Sequence, residues 1–305
     1  RAVDDWTEIL KRNSNFDAAY IGIGKALYRS GDYEEAMEYF KIIGDKTYYE
    51  KAYKFNREEI LQKAGFLTFV AIIAVILIIV WLIGKVGKYN EKLTETPHKG
   101  RFWDEVVFGF YVMRHPFDGN WALKHEKRGS VRAAVTILGV TVVVFYYNAI
   151  GQGYIMNPTG NYAFIFPVAL SVLVPFFLFI VANWCLTTLF EGEGSFKDIF
   201  IACSYSLVPV PLLLIPVTLL SNVCTNAEIN IIGFISTLSF IWLGLLVFFG
   251  TQVTHDYTMG KNIITILGTL VGMVFIMFLA ILFSTLVTKM VSLITNIVTE
   301  IRYRM

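Results

Sequence analysis

The chain has 305 residues, of which 55% are hydrophobic and only 16% are charged, whereas about 25% of residues are charged in an average soluble protein. Its net charge of +2 gives no electrostatic reason to expect a nucleic-acid partner. The composition excludes an ordinary soluble domain and predicts a membrane protein, so the positions of the apolar stretches decide the architecture.

The N-terminal region is polar enough to form a soluble head. Two sets of apolar or small residues recur there at helical spacing, and they are Tyr20, Ile23, Gly24 and Leu27, then Tyr33, Ala36, Met37 and Phe40. Gly31-Asp32 stands between the sets and breaks the first helix. Residues 16–46 are therefore predicted to form a helix-turn-helix, in which the small Gly24 and Ala36 allow a close approach of the two helices.

This spacing resembles one tetratricopeptide repeat, apart from Tyr48, which stands where the repeat often has proline. Trp6, Ile9 and Leu10 resemble the end of a preceding repeat. Since about three repeats are needed for stability, we expect residues 1–64 to be the C-terminal part of a longer repeat region. The resemblance implies a surface that binds peptides or proteins, and a short rigid stalk is the alternative.

A third helix, at roughly residues 47–64, is predicted to run straight into the first membrane span. Its charged side chains share a face that we expect to be solvated, and they are Lys51, Lys54, Arg57, Glu58 and Glu59.

Six apolar stretches are long enough to cross a bilayer, which takes roughly 20 residues in a helix. The first lies at residues 65–84 and five more fill residues 131–290, followed by an amphipathic tail at 291–305. We predict an all-α fold, a polytopic membrane bundle of one plus five spans behind a helical head. Charged groups inside spans usually mark ion paths or catalytic centres, and the interiors of these stretches have none. The sequence thus favours a non-enzymatic protein without a cofactor or metal site.

Prolines and asparagines mark particular places in the predicted spans. Five prolines are expected to kink the second and third spans of the five-span domain, and they are Pro167, Pro175, Pro209, Pro211 and Pro216. The kinks could leave a groove for a lipid or a partner helix, and simple bundle packing is the alternative. Asn148 and Asn183 are candidates for hydrogen bonds between helices.

Basic residues are concentrated in particular connections between spans. Residues 85–132 contain ten Lys or Arg, the connections at 191–198 and 251–262 contain Lys197 and Lys261, and those at 151–161 and 221–230 contain none. Because positive charge marks the cytoplasmic side, we expect the three basic segments inside and the other two outside. Six spans then place the head and the C-terminus outside.

The cytoplasmic loop, residues 85–130, contains a predicted amphipathic helix at 101–113. Its apolar face is expected to contain Phe102, Trp103, Val106, Val107, Phe110, Tyr111 and Met113. Such a helix is expected to lie among the lipid headgroups, and packing against the protein's own spans is the alternative.

The rest of this loop begins with a proline. Pro116 should end the helix, Asp118-Gly119 reads as a turn, and Phe117 and Trp121 should anchor it. His115 and Asp118 could form an acid/base pair, although no second cluster of ligands accompanies them. Residues 124–128 are predicted to be a solvated run that meets anionic lipid.

Four motifs together go beyond a generic membrane sequence. They are the Gly-rich turn at 191–198, the Tyr205-Ser206-Leu207-Val208-Pro209 segment, the turn that starts at Thr254-His255-Asp256-Tyr257, and the loop His115-Pro116-Phe117-Asp118-Gly119-Asn120-Trp121. As a set they resemble the membrane domain of the Yip family (Ypt-interacting proteins), in the bacterial form with tetratricopeptide repeats in front. Asn120 departs from the aromatic residue expected there. In the Gly-rich turn, Ser195 should cap the next helix and Asp198 should favour its N-terminus.

The resemblance implies a non-enzymatic accessory or scaffold subunit in a bacterial cell membrane. Its implied partners are lipids and other membrane subunits, with the permeases and the extracellular binding protein of a carbohydrate ABC importer as the candidates. The alternative is a passive channel, a scramblase or a small-solute transporter formed by the kinked spans. The candidate interaction residues are Phe102, Trp103, Phe110, His115, Phe117, Asp118, Trp121, Ser195, Phe196, Lys197, Tyr205 and Pro209.

Overall fold

The structure is a computed structural model that describes residues 2–96, 100–157 and 163–304. The described residues form helices and no strand, which confirms the all-α prediction. The helices are α1 Ala2–Arg12, α2 Asp17–Ser30, α3 Tyr33–Ile42, α4 Lys46–Glu95, α5 Phe102–Arg114, α6 Pro116–His125, α7 Val131–Gly151, α8 Ile165–Thr187, α9 Phe196–Ser206, α10 Pro209–Ser221, α11 Ile229–His255 and α12 Met259–Arg304, with a short 3-10 turn at Asn226–Glu228. Lys99 and residues 158–161 of the predicted outer connection lie outside the described residues.

The chain divides into two compact units. The head unit comprises Arg1–Glu91, Val144–Phe164 and Leu212–Ser239. The core unit comprises Lys92–Val143, Ile165–Pro211 and Phe240–Met305.

Helices α2 and α3 form the predicted helix-turn-helix in the head unit. Ile23, Ala36 and Phe40 are fully buried between them. A side chain at Gly24 would place its Cβ 2.7 Å from Cε1 of Phe40, so this position requires glycine for the close approach. Gly31 ends α2 with φ of 90°, a conformation that glycine adopts without strain.

Helix α4 is bound to the two short connections of the head unit. Tyr53 Oη donates to the carbonyl of Asn222 at 3.1 Å. Nη1 and Nη2 of Arg57 donate to the two carboxylate oxygens of Glu228 at 2.9 and 3.1 Å. On the same helix, Lys46 Nζ donates to the carbonyl of Asn157 at 3.0 Å.

These contacts place the head on the same side as Asn157 and the connection at 221–230, as the charge pattern predicted. Which side faces the cytoplasm stays a prediction. The solvated face predicted for α4 was wrong at Arg57, because its side chain is 27% exposed and paired. The pairing could not be foreseen from one helix, since Glu228 lies 171 residues away.

Among the residues that the structure describes, six helical segments are long and apolar enough to cross a membrane, which confirms the predicted number of spans. The third span of the five-span domain is divided into α9 and α10, with Leu207 and Val208 between them. Pro175 and Pro216 lie inside α8 and α10. Helix α4 has a kink at Ala64, where φ is −124°, and α12 continues past residue 290 without a boundary before the predicted tail.

Both predicted asparagines form hydrogen bonds between helices. Asn148 Nδ2 on α7 donates to Thr218 Oγ1 on α10 at 2.8 Å. Asn183 Nδ2 on α8 donates to Thr269 Oγ1 on α12 at 3.1 Å. Paired amides of this kind are tolerated at membrane depth because each polar group finds a partner within the protein.

We predict that Arg57→Ala loosens the attachment of α4 to the connection at residues 222–228. The loss of a bidentate, partly exposed charge-assisted pair should cost about 1–2 kcal/mol. Hydrogen exchange of the Asn222–Glu228 amides should accelerate accordingly. Lys54→Ala, an exposed change on the same helix, is the matched control and should leave exchange unchanged.

The double variant Arg57→Glu with Glu228→Arg should restore part of the protection. Restoration is partial because Glu228 also accepts the backbone N–H of Thr225 at 2.7 Å. Equal exchange rates in the wild type and in Arg57→Ala would show that the pair does not hold the head.

Candidate functional site

In the core unit, α5 packs on α9 through a polar anchor and a small residue. The hydroxyl of Tyr205, which is fully buried, donates to the carbonyl of Glu105 at 2.8 Å. A Cβ at Gly109 would lie 2.8 Å from Cγ2 of Val208. These two contacts fix which side of α5 faces the bundle.

The apolar face predicted for α5 therefore differs from the face that is buried within the protein, and its place among the lipid headgroups stays a prediction. The buried residues are Glu105, Phe108, Gly109, Val112 and Met113, so only Met113 of the predicted face is buried. A hydrophobicity pattern gives no weight to glycine, yet Gly109 marks the face of closest approach. Of the alternatives for this helix, packing against the protein's own spans is what the structure shows for the buried face.

Helix α6 replaces the predicted turn at Asp118-Gly119. Pro116 is the first residue of α6, where its missing N–H is not needed. A Cβ on Gly119 would lie 2.7 Å from the Cα of Val112. Gly119 thus serves a helix crossing between α5 and α6, and the turn prediction was wrong because glycine also permits such close contacts.

The run at residues 124–128 is largely tied to the protein. Arg128 is 8% exposed, and its guanidinium donates to the carbonyls of Leu93, Thr94 and Thr96 at the end of α4 and to the carboxylate of Glu126. A cation suits the negative end of a helix. Lys124 pairs with Glu193 at 3.1 Å, so the predicted solvated run was wrong at both positions.

A buried polar chain joins three helices and the Gly-rich turn. His255, 1% exposed at the end of α11, contacts Oδ1 of Asn183 through Nε2 at 2.8 Å. Its Nδ1 accepts the backbone N–H of Gly194 at 3.2 Å. A neutral ring with its proton on Nε2 satisfies both partners, and Asn183 passes the chain on to Thr269.

Further contacts join the three basic segments that were predicted to lie on the same side of the membrane. Residues 191–198 meet α6 through Lys124 and Glu193, and they meet the turn after α11 through Gly194 and His255. Lys261 lies 3.8 Å from Glu191. In the core unit the three segments therefore lie together, as predicted.

Between α6 and the turn after α11 lies a cleft of about 410 Å³, which we call the loop cleft. Its lining residues are Phe117, Asp118, Trp121, Lys124, His125, Glu193, Gln252, Val253, Asp256 and Tyr257. Three predicted interaction residues, Phe117, Asp118 and Trp121, meet here. Beside it, burial raises the pKa of the Tyr111 phenol and the charge of Asp118 raises it further, so this phenol is neutral at physiological pH.

The other predicted interaction residues are spread over the core unit. Trp103 is 71% exposed, and the ring of Phe102 lies edge-on 5.3 Å from it. Phe110 packs partly against the core. The exposed His115 ring lies 4.8 Å from that of Tyr111.

Ser195 caps α9 as predicted, since its Oγ accepts the N–H of Asp198 at 3.3 Å and the Asp198 carboxylate accepts the N–H of Ser195 at 3.2 Å. Phe196 lies edge-on to Trp184 at 5.9 Å. Lys197 is exposed, and Pro209 is buried at the start of α10. The lining of the loop cleft does not include Ser195, Phe196, Lys197 or Pro209.

Sequence reasoning missed His255, Glu193 and Gln252. The motif that starts at Thr254 predicts a turn that includes His255, whereas His255 closes a span and is buried. The available signal was a histidine in the last turn of one apolar stretch, together with an asparagine in the interior of another predicted span. Among the described residues, no group of three or more His, Cys, Asp or Glu could hold a metal ion.

The described part of the chain has six apolar helices of membrane-spanning length, joined by polar cross-links, which is the architecture of a multi-pass membrane protein. The sequence model of the Yip1 domain matches residues 110–282, more than half of the chain. The chain belongs to the Yip1 domain family. No curated protein and no solved structure matches the chain.

We predict that His255→Ala destabilises the core unit by about 2–4 kcal/mol, because it leaves the Gly194 N–H and Oδ1 of Asn183 without a partner. The purified protein should unfold at a lower temperature in detergent. His125→Ala, an exposed histidine on α6, should leave the transition unchanged. Equal transitions in all three proteins would contradict a structural role for His255.

Proposed function

We propose that this protein is a non-enzymatic accessory or scaffold subunit of a membrane assembly. The observation that carries the proposal is the fixed attachment of α4 to the connections of the head unit through Tyr53 and Arg57. A flexible stalk would not need side-chain contacts to the ends of the spans. A head held in this way presents its free surface in a constant orientation to a partner.

The free surface of the head has a concave face suited to binding. A hollow of about 550 Å³, which we call the head groove, is bordered by Gly31, Asp32, Tyr33, Glu34, Glu35, Glu38, Asn56, Glu59, Ile60 and Lys63. Five of these residues are acidic and one is basic. The charge favours a partner with a basic surface, because complementary potentials speed the encounter and exclude wrong partners.

The finer proposal follows the resemblance of the head to a tetratricopeptide repeat. The helical hairpin α2–α3, with Gly24 against Phe40, supports this assignment and a protein ligand. We propose a bacterial cell membrane with the head outside. The permeases and the extracellular binding protein of a carbohydrate ABC importer are the proposed partners. Any ATP hydrolysis would belong to such a partner.

The spans support a role in packing against lipid or other subunits. In the most apolar window of α4, none of the residues whose burial the structure describes is buried within the protein. The polar groups His255 and Asn183 are engaged in helix packing, which supports a structural role for them and a non-enzymatic function.

The test is co-purification of the full chain from native membranes with quantification of the bound proteins. Glu34→Lys with Glu38→Lys should weaken capture of the partner by on the order of 100-fold, as expected for about 3 kcal/mol of like-charge repulsion. Glu58→Lys, an exposed reversal that does not border the head groove, is the control and should retain the partner. A wild-type chain that purifies alone under mild solubilisation would refute the proposal.

A passive channel, scramblase or small-solute transporter is the second candidate. It is favoured by the division of one span into α9 and α10, with Pro216 inside the second, since broken helices occur where backbone lines a cavity. Flux of small solutes or labelled lipids through liposomes that contain the purified chain tests it. Flux no greater than that of empty vesicles removes it.

A further inference from the structure

The loop cleft contains carboxylates that the protein does not neutralise. Glu193 is paired with Lys124 at 3.1 Å, and nearby Glu191 with Lys261 at 3.8 Å. The carboxylates of Asp118 and Asp256, in contrast, form no hydrogen bond or ion pair with any described residue. Two unpaired negative charges in one cleft favour a cationic ligand.

The lining of the cleft also contains a buried acceptor without a partner. Oε1 of Gln252 has no hydrogen-bond partner among the described residues. Leaving a buried polar atom unsatisfied is costly. A ligand that supplies several N–H donors would bond the exposed carboxylates of Asp118 and Asp256.

Aromatic rings and one lysine complete the wall of the cleft. Phe117 and Trp121 are 46% and 51% exposed, and exposed rings attract cations through their π faces. Lys124 Nζ uses one of its three donors on Glu193, which leaves donors for an anionic group. The cleft therefore offers a negative side and a positive group a short distance apart.

The loop cleft lies where one predicted span ends and the next begins, which is the level of the lipid headgroups. Gln252 and Val253 lie in the last turn of the span that ends at His255, and the next span begins at Met259. The ends of spans lie at the level of the headgroup layer, where Trp and other aromatics concentrate. The cleft volume of about 410 Å³ falls within the range usual for small-ligand sites.

We propose that the loop cleft binds the zwitterionic headgroup of phosphatidylethanolamine. The primary ammonium lies toward Asp118 and Asp256, and the phosphate lies toward Lys124. The three N–H donors of a primary ammonium satisfy acceptors that a trimethylammonium group cannot, because choline has no N–H. The site thus selects ethanolamine over choline lipids.

The proposal is tested by native mass spectrometry of the delipidated full chain with added lipids of matched acyl chains. Phosphatidylethanolamine should bind about tenfold more tightly than phosphatidylcholine. In Asp118→Asn with Asp256→Asn this preference should fall to within about twofold, because the charges are lost at unchanged side-chain size. Asn suits position 256, where φ is 56°, since Asn tolerates the left-handed region.

Asp17→Asn is the matched control, because Asp17 is an exposed aspartate in the first turn of α2 and lies outside the cleft. It should keep the tenfold preference. Equal binding of the two lipids by the wild type would overturn the proposal without reference to any variant. A preference that survives in the double variant would overturn the site. Saturable binding of a lysine-rich peptide without any headgroup preference would overturn the lipid as ligand.

Discussion

One constraint governs how the helices of this protein pack. A polar group that is buried between apolar helices has no water with which to form a hydrogen bond. The chain from Gly194 through His255 and Asn183 to Thr269 meets that constraint by giving each group a partner on another element. Any arrangement of the helices that separates two of these groups leaves a buried polar group without a hydrogen bond, which costs free energy. This chain of hydrogen bonds therefore favours one arrangement of helices over its close alternatives. The Gly-rich turn is part of this chain, so loop and spans are fixed together.

Small residues provide the second condition for this packing. Gly109 lets α5 approach Val208, and Gly119 lets α6 cross the backbone of α5 at Val112. The approach brings Phe117 and Asp118 to the wall of the loop cleft. The segment at residues 115–121 is therefore understood as a packing device, and its outer residues line the loop cleft.

The sequence was sufficient for the number and location of the spans, the head hairpin and the asparagine cross-links. Each of these depends on local periodicity or on the cost of burying a polar group, and both are visible in one chain. The helical state of Asp118-Gly119 and the burial of Arg128 were predicted wrongly, and the buried face of α5 was not predicted. In each case the structure depends on a contact between residues that are distant in sequence, such as the contact of Arg128 with the carbonyls of Leu93 and Thr94. The loop cleft was foreseen only through Phe117, Asp118 and Trp121, because its other wall comes from the turn after α11.

The hydrogen bonds of Asn183 impose an order on biosynthesis. Its partners His255 and Thr269 follow it by 72 and 86 residues, which a ribosome working at about 5–20 residues per second adds over roughly 4–17 seconds. During that interval α8 is complete while its amide has neither partner. The half-made protein must therefore keep α8 next to the insertion machinery, or in contact with water, until α11 and α12 arrive. A truncation before His255 would leave the Asn183 amide without either partner, and such a fragment is a natural target for membrane quality control.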